Sequence, residues 1–150
     1  MTMADIDVGG PWFEDLRVGQ VVADAPALTL THAHAAFHQA IVGDRLRLTL
    51  DAPLCREVTG RAGPLASPGL VCNVAIGQTT WVSQRVRANL FYRRLALLRP
   101  VYVGDTLHTT TEIVGLKQNR AQPGKPATGL AALRVRVADQ DGEPVLDFWR

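Results

Sequence analysis

Lysine is almost absent from this chain of 150 residues, and only 6% of its residues are aromatic. Its two cysteines, Cys55 and Cys72, are too few and too loosely spaced for a zinc knuckle or a disulfide framework. We therefore expect two free thiols in a reducing cytoplasm. The formal net charge of +2 gives no strong field that would attract nucleic acid.

Membrane and secretion signals are also missing. No apolar run reaches the ~18 residues that a bilayer-spanning helix needs. The N-terminus has no basic region followed by an apolar core, so it does not read as a secretory signal. The expectation is a cytoplasmic protein that binds neither nucleic acid nor membrane.

The length corresponds to about one domain. Apolar residues make up 47% of the chain and charged residues 20%, which is ordinary for a globular protein. Residues 1–10 end in a Gly-Gly pair and are expected to form a disordered leader. Residues 11–150 are expected to form a single domain.

Two helices are predicted in the first half. Thr31 is suited to cap a helix that runs without a breaker to Gly43. Ser67 followed by Pro68 is typical of a helix start, and the segment from there to Trp81 is apolar on nearly all sides. A helix that is apolar all round is usually buried. Residues 43–65 hold several prolines and glycines and are expected to be irregular.

The second half has the alternation of apolar and polar residues that is typical of strands. A curled antiparallel sheet that wraps around one long apolar helix would bury that helix on most sides. This is the hotdog fold, of class α+β. The expected strands cover residues 89–92, 95–98, 106–116, 133–137 and 145–149, with a loop over 118–128.

Four separated stretches carry a resemblance to the MaoC-like hydratases and dehydratases, the R-specific enoyl-CoA hydratase type. The resemblance implies the hotdog fold and addition or removal of water at the 2,3 double bond of an enoyl-CoA thioester. The stretches are residues 13–20 (FEDLRVGQ), Gly43-Asp44 after a short helix, residues 64–70 (PLASPGL), and residues 100–107 (PVYVGDTL) ending in 112–114 (EIV).

The resemblance also implies roles for individual residues. Asp44 takes the position of the catalytic acid or base. Gly69, followed by Leu70, is similar to the helix-start glycine whose amide faces the thioester oxygen, where the helix dipole favours negative charge. Coenzyme A enters as part of the substrate, and no separate cofactor and no metal is implied.

The chain departs from the family's motif Gly-Asp-x-Asn-Pro-x-His-x-Asp. Gly43, Asp44 and the closing Asp51 are present, but Thr49 stands at the histidine position. A threonine hydroxyl can hold a water molecule, yet it cannot take a proton near neutral pH. We therefore name Thr49 as a water-holding partner of Asp44 and expect no Asp–His pair within this segment.

Several residues have alternative interpretations. His34 and His38 lie one helical turn apart, a spacing that can bind metal, but a solvated helix face is favoured because no further ligand lies nearby in the sequence. His38 is also a candidate to replace the missing imidazole in space. Asn73 and Gln78 need partners if their helix is buried: they either pair with backbone groups or line an acyl tunnel.

A cluster of arginines gives a second candidate binding surface. Its guanidinium groups either form a solvated sheet face or bind the phosphates of coenzyme A, with Arg93 the candidate contact. The members are Arg85, Arg87, Arg93, Arg94 and Arg99.

The leading functional interpretation is an enoyl-CoA hydratase or dehydratase with an altered motif. The alternative is a non-catalytic hotdog that binds an acyl thioester, or a degenerate partner subunit of a two-hotdog hydratase. Exposed strand edges make a monomer unfavourable, and a homodimer is the expected assembly.

Overall fold

The computed structural model describes residues 9–120, 123–124 and 127–150. Residues 1–8 of the expected leader and part of the expected loop over 118–128 lie outside this range. Gly10, the last residue of that leader, accepts a hydrogen bond from the Arg85 Nε at 3.0 Å.

The helices of the described residues precede most of the sheet. A short 3₁₀ turn covers Phe13–Asp15 and is followed by two brief strands, β1 (Val21–Val22) and β2 (Leu28–Thr29). The α-helices are α1 (His32–Val42), α2 (Arg47–Leu50), α3 (Ala52–Thr59), α4 (Pro68–Gln78) and α5 (Thr80–Ser83).

The longer strands pair in antiparallel fashion, and the last three of them form a meander. They are β3 (Arg93–Leu97), β4 (Thr106–Gln118), β5 (Gly129–Ala138) and β6 (Pro144–Trp149). Over the described residues the sheet order is β1-β4-β5-β6-β3, with β2 also paired to β4. Among these strands the sheet is not closed, so β3 is an edge strand of the described part of the chain.

The sheet curls around one side of α4. Leu70, Val71 and Ala75 of this helix are buried in one apolar cluster with inward-facing strand residues, among them Val135 and Phe148. On β5 the buried Leu133, Val135 and Val137 alternate with arginines, as the period of two predicts. This arrangement confirms the hotdog fold and the α+β class.

The expectation that residues 43–65 are irregular is wrong for Arg47–Leu50 and Ala52–Thr59, which form α2 and α3. Asp51 caps α3 by accepting the Leu54 amide at 3.0 Å, and Pro53 lies in the first turn, where its missing N–H costs nothing. Gly60 ends the helix in the left-handed conformation, with φ of 72°. Pro53 and Gly60 therefore mark the two ends of a helix and do not interrupt one.

The expected strand over 89–92 is also wrong. Strand β6 ends at Trp149, which pairs with Arg93, so the residues before Arg93 lie beyond the ladder. The Asn89 side chain instead accepts a hydrogen bond from the Arg150 guanidinium at 2.6 Å. The strand near 95–98 is confirmed as β3, and the strands near 106–116, 133–137 and 145–149 are confirmed as β4, β5 and β6.

Strand β3 and the segments beside it expose large apolar side chains, which we call the apolar edge. Its members are Leu90, Phe91, Tyr92, Leu95, Leu97 and Leu98, each exposed by 44% or more. Such an unpaired apolar edge is a surface that natural proteins usually cover. Among the helices of the described residues, none is long and apolar enough to cross a membrane.

Candidate active site

Asp44 follows the end of α1 directly. Helix α1 closes on Gly43, whose φ of 64° is left-handed and favours glycine. The chain therefore turns sharply at this point and leaves Asp44 half-buried beside the helix end. One carboxylate oxygen, Oδ1, accepts the Leu46 amide at 3.0 Å, which fixes the side chain within its own loop.

Ser67 brings the start of α4 to the same carboxylate. It occupies the N-cap position of α4, yet its side chain makes no capping hydrogen bond to that helix. The Ser67 side chain instead lies close enough to the Asp44 carboxylate to lower the pKa of that group. The Ser67 hydroxyl, then the Leu46 amide and the charge of His38, hold the pKa of Asp44 below its usual value, and partial burial opposes them. Asp44 is consequently ionised at neutral pH.

The first turn of α4 offers backbone donors next to this carboxylate. The initial amides of an α-helix have no acceptor within the helix, Pro68 has no N–H, and the Val71 amide already donates to the Ser67 carbonyl at 3.1 Å. The amides of Gly69 and Leu70 therefore remain for a ligand. Together with the helix dipole they can stabilise negative charge on a carbonyl oxygen.

His38 also lies beside this turn. A Cβ atom added to Gly69 would lie only 3.1 Å from the His38 Nε2 and 3.2 Å from its Cε1, so the imidazole edge faces the glycine backbone. The Nδ1 atom of the ring is buried and has no hydrogen-bond partner among the described residues. The structure thus brings His38 and Asp44, from the C-terminal part of α1 and the turn after it, together with Ser67 and Gly69 at the start of α4.

The other predicted site residues lie in different settings. Thr49 belongs to α2, and its hydroxyl donates to the Leu46 carbonyl at 2.7 Å. Leu70 is buried in the core, so its amide, and not its side chain, can face a ligand. Asn73 lies on the exposed side of α4. Gln78 pairs with backbone, since its amide donates to the carbonyls of Pro26 at 2.7 Å and Leu107 at 3.1 Å.

Arg93 lies on β3, at the far edge of the sheet order from β4. Its guanidinium stands 5.8 Å from the centre of the Phe91 ring. No contact joins it to Asp44 or Gly69 in the part of the chain that the structure describes. Its role as a coenzyme A contact stays a prediction, as do the roles of Thr49 and Asn73.

An apolar cleft opens beside the start of α4. Its volume is about 330 Å³, and it lies between the first turn of α4 and the segment that follows β3. Pro68 and Val71, which flank Gly69 and Leu70 in the sequence, contribute to its wall. The remaining lining residues are Leu65, Ala66, Leu97, Leu98, Arg99, Pro100 and Val101.

Two curated proteins match nearly the whole chain. A β-methylmalyl-CoA dehydratase from Chloroflexus aurantiacus is 34% identical over 142 residues, or 94% of this chain and 39% of that protein. A mesaconyl-CoA hydratase from Cereibacter sphaeroides is 31% identical over 142 residues, or 94% of this chain and 40% of that protein. The chain therefore spans about two fifths of the length of these relatives. No protein-family profile matches it.

Solved structures give the same relationship. A conserved hypothetical protein from Mycobacterium tuberculosis with a double hotdog fold is 59% identical, with a TM-score of 0.92 over 97% of this chain and 44% of that one. A protein from Chloroflexus aurantiacus described as a MaoC domain dehydratase is 32% identical, with a TM-score of 0.85 over 99% of this chain and 41% of that one.

The chain is a hotdog domain. Over nearly its whole length it is similar to MaoC-like hydratases and dehydratases, which confirms the resemblance that its four stretches carry.

Proposed function

We propose that this chain adds water to, or removes it from, the 2,3 double bond of an enoyl-CoA thioester. The observation that carries the proposal is the position of the Asp44 carboxylate, next to a helix start whose Gly69 and Leu70 amides remain for a ligand. The names of both curated relatives support the same class of reaction on CoA thioesters. Coenzyme A is part of the substrate in this proposal, and no separate cofactor takes part.

The roles of the residues in hydration follow from the negative charge that develops on the thioester oxygen. When water attacks C3, the π electrons move toward the thioester oxygen, which becomes an oxyanion. The Gly69 and Leu70 amides donate to that oxygen, and the ionised Asp44 holds the attacking water. For the acyl chain we propose the apolar cleft beside Pro68 and Val71, whose wall contains neither Asp44 nor Gly69. A cytoplasmic location fits a protein that uses CoA thioesters.

We further propose that the working form contains two hotdog domains, with a homodimer as the simplest arrangement. The apolar edge on β3 would stay exposed in a single domain. The chain also matches less than half of its double-hotdog relative, which has room for a second hotdog. A second domain on this edge would remove the apolar side chains from water.

The test is turnover of trans-2-enoyl-CoA substrates by the purified protein, over a panel of short, branched and dicarboxylic acyl chains. We expect Asp44→Asn to lower kcat by about 10²- to 10⁴-fold, the usual loss for a positioned acid or base. Asp51→Asn is the matched control, because Asn can also cap α3.

The panel also separates catalysis from binding. Wild-type protein that binds the CoA thioesters in calorimetry without turning any over would favour the non-catalytic alternative. Asp44→Asn with wild-type turnover would remove Asp44 from the reaction while leaving the activity in place.

A further inference from the structure

The family's motif histidine is replaced by Thr49, and the Thr49 hydroxyl is engaged locally with the Leu46 carbonyl. The proton-carrying group of the site must therefore come from another segment if the chain is a hydratase. Asp44 is held ionised by its neighbours and so carries no proton to deliver. The question is which nearby side chain can accept a proton and return it.

His38 is the histidine that reaches this site. It lies on α1, and its ring edge faces Gly69 at the start of α4, about 3.1 Å from where a Cβ on that glycine would stand. When its ring is protonated, His38 is also close enough to Asp44 to lower the pKa of that carboxyl. His34, one turn earlier on α1, has a different environment: its Nδ1 lies 3.1 Å from both the amide and the hydroxyl of Thr31, at the capping end of the helix.

The position of the His38 ring beside Gly69 bears on the proposed reaction. The backbone amide of this residue is one of the two donors that remain for the thioester oxygen, so an imidazole edge beside it lies next to the reacting atoms. Burial of Nδ1 inside the fold leaves the Nε2 edge as the part of the ring that faces α4. Packing between two helices, instead of a hydrogen bond to the ring, holds this orientation.

We propose that His38 is the catalytic imidazole of this chain, supplied from α1 in place of the missing motif histidine. The inference rests on the proposed hydratase function. In the hydration direction, Nε2 accepts a proton from the water that Asp44 holds, while the water oxygen bonds to C3 and the π electrons move to the thioester oxygen. The same proton then passes from Nε2 to C2 as the thioester carbonyl re-forms. His38 ends neutral, and the substrate gains one water.

The test compares His38→Gln with His34→Gln on the same enoyl-CoA substrate. We expect His38→Gln to lower kcat by about 10²- to 10⁴-fold with little change in KM, because the ring acts on the proton and not on binding. His34→Gln should keep kcat within about threefold of wild type, because His34 contacts Thr31 and not α4. Added imidazole should restore part of the activity of His38→Ala.

A second readout does not depend on activity. The charge on His38 is one of the causes that lower the pKa of Asp44, so the Asp44 carboxyl carbon should titrate at higher pH in His38→Gln than in wild type. A thermal melt identifies any variant that fails to fold, and the imidazole rescue of His38→Ala then carries the test.

The possible outcomes distinguish the catalytic role of His38 from the proposed hydratase function. Active wild type with unchanged kcat in His38→Gln would overturn the His38 assignment and leave the hydratase function intact. An unchanged Asp44 titration in His38→Gln would contradict the interaction between the two side chains. Wild-type protein that turns over no substrate on the panel would overturn the proposed function, and the catalytic role of His38 with it.

Discussion

Replacement of Gly69 by alanine tests the close approach of His38 to α4. The new methyl group would lie 3.1 Å from the His38 Nε2 and 3.2 Å from its Cε1, so the ring must recede by a few tenths of an ångström. Misplacement of a catalytic group by about 1 Å can cost about 10²-fold in rate. On that scale we expect Gly69→Ala to lower kcat by roughly threefold to tenfold.

The stability of Gly69→Ala should stay the same or rise, although its kcat falls. Alanine is favoured over glycine inside a helix by up to about 1 kcal/mol, and Gly69 has no left-handed φ that would make the alanine strained. Gly69→Ala should therefore unfold in urea at the same or a higher concentration than wild type. Gly77→Ala is the control on the same helix, since nothing lies within 4 Å of its added Cβ.

The assay is kcat on a trans-2-enoyl-CoA, measured beside a urea unfolding curve for each variant. Gly77→Ala should gain stability and keep the wild-type rate. A Gly69→Ala protein with the wild-type rate would refute the reasoning, because the displaced ring would then have no part in the reaction. Loss of rate together with loss of stability would assign the effect to general packing.

Three other predictions follow from single contacts. Ser67→Ala should raise the pKa of Asp44 toward its usual value in an NMR titration. Because the pKa of Asp44 is lower in the folded chain than in the unfolded chain, its ionised carboxylate stabilises the fold above the unfolded pKa, and this stabilisation is lost as pH falls through the folded pKa. The difference in Tm between wild type and Ser67→Ala should therefore be seen at pH 6 and vanish in acid. A difference in Tm that stays constant with pH would contradict this. Gln78→Ala should lower the free energy of unfolding, measured in urea, by about 1–3 kcal/mol. The reason is that the carbonyls of Pro26 and Leu107 and the hydroxyl of Thr109 lose their hydrogen-bond partner. An unchanged free energy of unfolding would show that water replaces the amide. Leu95→Glu should lower the mass measured by light scattering from two chains to one, because it puts a charge on the apolar edge; an unchanged dimer would place the interface elsewhere.

Strands β4, β5 and β6 and the position of Asp44 could be predicted because their signals are local. The alternation of Leu133, Val135 and Val137 shows which side of β5 is buried. Gly43 before Asp44 marks a helix end, and Ser67 before Pro68 marks a helix start. Each of these patterns rests on backbone requirements of a few neighbouring residues, and these do not depend on the rest of the fold.

The features that could not be predicted from the sequence mostly depend on contacts between distant segments. Nothing in the spacing of His38 shows that α1 packs its imidazole against Gly69, which lies on another helix. Asn73 reads as a buried residue because the sequence around it is apolar, whereas the open sheet covers only one side of α4. Pro53 reads as a breaker because the cap at Asp51 has to be recognised before the proline can be placed in a first turn.

The most direct test of the account is a double-variant cycle on Asp44 and His38, measured as kcat on a trans-2-enoyl-CoA. Residues that act together in one step show strongly non-additive losses. We expect the Asp44→Asn/His38→Gln double variant to be no more than a few-fold slower than the slower single variant. Losses that multiply in full would show that the two side chains act separately, and this would contradict the account.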